Sequence, residues 1–113
     1  MRTGFRVTDA TLDVLEVLLD GGDDLYGLKI AKATGRPTGS VFPILARLES
    51  FGWVFSEWEA GDPADRGPRR RFYRLSSDGV ARASELLVQR RPEPKRVRQR
   101  LAPSPRPGWQ GVQ

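Results

Sequence analysis

The sequence contains neither cysteine nor histidine. Disulfides, thiolate nucleophiles, histidine-ligated metals and imidazole acid–base chemistry are therefore excluded. No apolar run approaches the roughly 20 residues that span a bilayer, and Met1-Arg2 is not followed by the apolar core of a secretory signal. Carboxylates, hydroxyls, lysines and arginines remain for chemistry, but none forms a spaced catalytic pair. Gly21-Gly22 and Gly35 do not have phosphate-loop spacing. The expectation is a cytoplasmic protein that is not an enzyme and needs no cofactor or metal.

What is present is charge, unevenly placed. The net charge is +5 over 113 residues, with room for one domain. From Arg90 onward there are seven basic residues and one acid, whereas residues 1–89 hold 12 basic and 13 acidic ones. The body is close to neutral, so any attraction to a polyanion depends on where its charges sit.

Residues 1–8 read as a flexible N-terminal arm. Thr8-Asp9 supplies a cap, and Leu12, Leu15, Leu18 and Leu19 recur at helical spacing, widened by Val14 and Val17. A first helix is expected from about Asp9 to Asp20, apolar over more than one face and so packed on both its own domain and a partner subunit. Gly21-Gly22-Asp23-Asp24 is a turn by composition. A second helix is expected from about Leu25 to Thr34, with Leu25, Leu28 and Ala31 inward, Lys29 and Lys32 outward, and Gly35 ending it.

The stretch Gly35–Val54 organises the rest. Thr38 offers an N-cap, and Val41, Ile44, Leu45 and Leu48 form an apolar stripe. Thr38, Gly39, Ser40, Pro43 and Arg47 fall on the opposite face. Two short helices joined by a tight turn make a helix-turn-helix, whose second helix enters the DNA major groove at its N-terminal end. After Gly52 the period changes to 2. Residues 53–59 and 69–75 read as the strands of a hairpin around a breaker-rich tip, carrying Arg66, Arg69, Arg70, Arg71 and Arg74. Arginines in such a wing are the footprint of a phosphate-binding edge. Ser76-Ser77-Asp78 caps a last helix with Val80, Ala83, Leu86 and Leu87 as its stripe. From 91 to 113 the chain reads as a basic, proline-rich, disordered tail.

The expected fold is mainly α with a small β-hairpin (α+β), a winged helix-turn-helix over residues 9–90. The expected function is sequence-specific binding of double-stranded DNA by a homodimer, with the recognition helix 38–51 in the major groove and the wing 60–74 on the phosphate backbone. Candidate DNA-binding residues are Lys29, Lys32, Arg36, Thr38, Gly39, Ser40, Phe42, Pro43, Arg47, Arg66, Arg69, Arg70 and Arg71. Candidate dimer contacts are Leu12, Leu15, Leu19, Val80, Ala83, Leu86 and Leu87. The alternative is a winged-helix module that binds protein partners without specific DNA binding.

Three segments, YGLKIAKATG, PTGSVFPILARLESFGWV and RRRFYRLSSDG, resemble the PadR family of transcriptional regulators. The resemblance covers about residues 9–90 and its small members with one terminal helix. It implies a winged helix-turn-helix homodimer, usually a repressor, often relieved by a small aromatic or xenobiotic ligand. It also implies that Thr38, Gly39, Ser40 and Phe42 face DNA and that Arg69, Arg70 and Arg71 form the basic wing. Phe42 stands where the family usually has tyrosine. It cannot donate a hydroxyl hydrogen bond to phosphate, a loss on the order of 1 kcal/mol.

Overall fold

A computed structural model describes residues 4–22, 24–60 and 69–92. Its elements are α1 (Asp9–Asp20), α2 (Gly27–Thr34), α3 (Thr38–Ser50), β1 (Val54–Trp58), β2 (Arg71–Leu75) and α4 (Ser77–Arg90). Three helices, a two-stranded antiparallel hairpin and a closing helix constitute the winged helix-turn-helix. The wing tip with Arg66, and the tail from residue 93 onward, lie outside the described residues.

Helix α1 is the hub. Thr8 caps it through a reciprocal box with Thr11, each side chain bonding the other's backbone or hydroxyl. Thr11 to Leu15, Val17 and Leu18 are all buried, and α2, α3, α4 and β2 all pack on the helix. Apart from Leu19, the apolar surface of α1 expected to be spare for a partner is thus covered by the chain itself. Leu12 and Leu15 are core residues, as are Ala83 and Leu86 on α4, so these four expected dimer contacts are corrected. A side chain this enclosed has no surface left to offer a second copy.

Helix α2 starts two residues later than expected, at Gly27, and this shifts its inward face to Gly27, Ile30, Ala31, Ala33 and Thr34. Leu28 is 62% exposed rather than inward. Leu25 is buried, but as extended chain: its carbonyl accepts from the Tyr73 N–H, and Tyr26 bridges Phe72, adding a short third rung beside β2. Gly35, in the left-handed region at φ 74°, ends α2. The Arg36 N–H reaches back to the Ala31 carbonyl, and Gly35 bonds to Lys32 as well as Ala31. Gly52, at φ 81°, ends α3 in the same manner, with Trp53 bonding Leu48 and Gly52 bonding Glu49.

The first described residues are docked, not loose. Phe5 meets Phe51 and Trp53 edge-on at 5.1 and 5.2 Å, and Val7 packs on the core. Arg91, expected to open the tail, likewise belongs to the folded body, as its ion pairs below make plain.

Candidate nucleic-acid interface

Helix α3 is built as expected for a helix held on one side only. Val41, Ile44, Leu45 and Leu48 are buried, while Gly39, Ser40, Pro43 and Arg47 are exposed. One expectation is corrected: Thr38 is not the N-cap. Pro37 occupies that position, and no side chain caps the helix. The proline fixes the entry φ and has no N–H to leave unpaired, but the first-turn amides of Thr38 and Gly39 face outward without an intrahelical partner. Pro43 does not break α3, which runs unbroken through 13 residues.

Phe42 is 47% exposed. Its ring lies against Gly27, where any Cβ would overlap it. Glycine at the start of α2 is therefore what lets this aromatic lie against that helix. Sequence reasoning missed that role.

Along α2 and the turn into α3 runs an open groove lined by Asp24, Lys29, Lys32, Arg36, Thr38 and Arg70, among others. Four cations face one carboxylate there. Lys29 is paired with Asp24 at 2.7 Å. Hydrogen bonding to Lys29 is the largest influence on Asp24 and holds its carboxyl below the ordinary value. Arg36 is anchored: its Nε donates to Asp13 Oδ2 at 2.7 Å. Its side chain keeps 33% exposure. A second, smaller concavity brings Phe42, Leu28 and Tyr26 together with Trp58, Arg69, Arg70 and Arg71.

The wing is tied to α3 by a polar triad. Ser56 Oγ donates to Glu49 Oε2 at 2.8 Å, Arg71 Nε donates to Ser56 Oγ at 2.8 Å, and Arg71 Nη2 reaches Glu49 at 3.3 Å. The register pairs Trp58 with Arg71 and Phe55 with Arg74. Successive residues of a strand face opposite sides, so Arg71 and Arg74, three positions apart in β2, lie on opposite faces of the hairpin. Arg71 lies over Trp58 and Arg74 over Phe55, while Arg70 sits over Tyr26 at 4.9 Å. Arg70, Arg71 and Arg74 have acidic neighbours in Glu59, Glu49 and Glu57.

A second constellation was not foreseen. Along α1, Asp9, Asp13 and Glu16 form a stripe that meets Arg91 at the end of α4. Arg91 approaches all three carboxylates at 2.9 Å with 7% of its side chain exposed. Burial alone would lower its pKa, but hydrogen bonds to Asp9 and Glu16 and the charge of Asp13 outweigh that and raise it. Asp13, itself 4% exposed, holds Arg91 near Oδ1 and Arg36 on Oδ2. The contact at Oδ1 is an ion pair without hydrogen-bond alignment. The i, i+4, i+7 spacing of the acids was the available signal, but their partners lie in distant parts of the chain.

Among solved structures similar to this chain, a PadR-family transcriptional regulator from Eggerthella lenta is 28% identical, with a TM-score of 0.56 over 70% of this chain and 69% of that one. A candidate DNA-binding protein from Ralstonia eutropha is 27% identical, with a TM-score of 0.55 over 72% of this chain and 98% of that one. NadR in complex with 4-hydroxyphenylacetate, at 23% identity and a TM-score of 0.57 over 85% of this chain and 59% of that one, shares the fold. No curated protein sequence matches significantly. No described helix is long and apolar enough to cross a membrane. The family model for PadR-like transcriptional regulators matches residues 14–85, spanning α1, the helix-turn-helix, the wing and most of α4. The chain belongs to the PadR-like family of transcriptional regulators.

Proposed function

We propose that this regulator is a homodimeric repressor that reads a specific DNA site with α3 in the major groove and the wing on the phosphate backbone. The observation that carries this reading is the exposed, small and uncapped N-terminal half of α3, whose first residue, Thr38, shares a groove with Lys32, Arg36 and Arg70. Small side chains let the backbone approach base edges closely, and outward amides at a helix start suit a phosphate. Lys29, Lys32, Arg36, Thr38, Gly39, Ser40, Phe42, Pro43, Arg47, Arg69, Arg70 and Arg71 remain the proposed contacts. Residues 9–91 form the functional body, and the basic residues beyond add affinity without specificity.

The proposed dimer uses what the core leaves outside. On α4, Val80 is 43% and Val88 70% exposed, with Leu87 beside them and Leu19 of α1 adjoining. Two recognition helices on a two-fold axis then read half-sites about one helical turn apart. The family resemblance adds a small aromatic effector, for which 4-hydroxyphenylacetate, the ligand in the NadR structure, is a first probe.

A mobility-shift titration on the protein's own upstream region tests the reading, with random duplex as competitor. Equal affinity for both would remove the claim of specificity. Arg70→Ala with Arg71→Ala is expected to weaken binding and flatten the salt dependence by about 1 to 2 units. A protein-interaction module would show neither effect.

A further inference from the structure

We propose that Asp13 is a positioning residue that couples the C-terminal end of α4 to the turn that introduces the recognition helix. The physical basis is one buried carboxylate shared by two arginines from opposite ends of the fold. Arg36, in the turn between α2 and α3, donates to Oδ2 at 2.7 Å. Arg91, just past α4, stands 2.9 Å from Oδ1. With 4% exposure, Asp13 has little water to replace either partner.

The neighbouring groups set the direction of the effect. Arg91 has Asp9 and Glu16 to fall back on, whereas Asp13 has only the two arginines among the described residues. If α4 shifts so that Arg91 withdraws, Arg36 is left as the sole counter-charge of Asp13, and the turn must readjust. Arg36 itself sits at a critical joint. Its N–H closes the end of α2 on Ala31, its N–H also meets Thr34 Oγ1, and Pro37 next to it begins α3. A change at the end of α4 thus reaches the entry of α3 through two ion pairs and no intervening backbone. Because α4 carries the proposed dimer surface, the same contact gives subunit rearrangement a route to the DNA-facing helix. That last step rests on the function proposed above.

Amide hydrogen exchange on the full-length protein tests the coupling without DNA. Arg91→Met keeps most of the side chain's volume and removes its charge. It is expected to speed exchange at Arg36, Ser40 and Val41 about tenfold, within the range of couplings inside one salt-bridge network, and Arg91→Lys should restore much of the protection. Glu16→Gln, which removes one partner of Arg91 but leaves its contact with Asp13, should leave those three amides unchanged. In an Asp13→Asn background, Arg91→Met should have no further effect on them. If Arg91→Met leaves the three amides as protected as in wild type, or if its effect persists undiminished in Asp13→Asn, the coupling is refuted. A separate titration with DNA distinguishes the two proposals: coupled exchange with unchanged DNA affinity in Asp13→Asn would retain the relay and refute the role of Arg36 in binding.

Discussion

Gly79→Ala sets two physical effects against each other. Gly79 is the third residue of α4, with no unusual backbone angle, so helix propensity alone favours alanine by up to about 1 kcal/mol. The packing says otherwise. A Cβ there would overlap the Trp53 carbonyl oxygen and stand 2.8 Å from its carbonyl carbon and 3.0 Å from its Cα. These are backbone atoms at the α3–β1 junction, and no rotamer change moves them. The junction is further fixed by Ser76, whose N–H donates to the Trp53 carbonyl, whose hydroxyl proton is shared between the Gly52 and Trp53 carbonyls, and whose Oγ accepts from the Gly79 N–H as the helix cap. Overpacking of this kind costs about 1–3 kcal/mol, and pushing α4 outward also endangers a cap of about 1 kcal/mol. The net expectation is a loss of about 2 kcal/mol, or roughly 10 °C in melting temperature for a domain of this size. Gly39→Ala is the control, because nothing lies within 4 Å of its Cβ position. It should melt at or above the wild-type temperature yet bind DNA more weakly if α3 approaches the bases closely. Thermal melts followed by circular dichroism decide the matter: a Gly79→Ala protein as stable as wild type would refute the packing argument.

Asp24→Asn should tighten DNA binding in a mobility-shift titration, since it removes a carboxylate from the basic groove and releases Lys29. The wild-type pair carries a stability term present at neutral pH and lost as pH falls below the ordinary carboxylate value of 3.8, because the folded pKa is depressed; acid titration of the variant should lack it. Phe42→Tyr should strengthen binding by up to about fivefold if its hydroxyl reaches phosphate, and an unchanged affinity would place that ring edge away from the backbone of the DNA. Val88→Asp should leave the melting profile of the body intact and shift sedimentation toward monomer, whereas an unchanged dimer would move the interface off α4.

Much of the fold was legible because its elements are patterned locally. The stripe of Val41, Ile44, Leu45 and Leu48 and the caps at Thr8 and Ser76 predict α1, α3 and α4 within a residue or so. The change of period after Gly52 marks the wing. Where the outcome depended on contacts far along the chain, the pattern misled. Leu28 continues the spacing from Leu25, but Leu25 is drawn into extended pairing with β2, so the helix starts late and rotates Leu28 outward. The stripes of α1 and α4 were divided between core and partner, although spacing alone cannot tell one's own chain from a second copy. Phe5 was lost in a polar arm because its partners, Phe51 and Trp53, lie beyond three helices. Arg91 read as part of a basic tail because Pro92 follows it, while the carboxylates that bury it lie 75 or more positions away.

The candidate site was less legible for a related reason: a count of arginines overstates the positive charge that DNA meets. Arg36 and Arg91 are balanced by Asp9, Asp13 and Glu16, and Arg70, Arg71 and Arg74 have Glu59, Glu49 and Glu57 beside them. Among the described residues, Lys32, Arg47 and Arg69 are the proposed contacts of the body without a carboxylate partner. Each phosphate neutralised contributes about 0.9 to the slope of log affinity against log salt. A cation already paired contributes less, because its approach to phosphate must first loosen its acid. The folded body should therefore show a slope nearer three per subunit than the larger value that counting all its basic candidates suggests. Removing the residues beyond Pro92 should flatten the full-length slope toward that figure, and a truncated protein whose slope stays well above it would mean that the internal pairs open on binding.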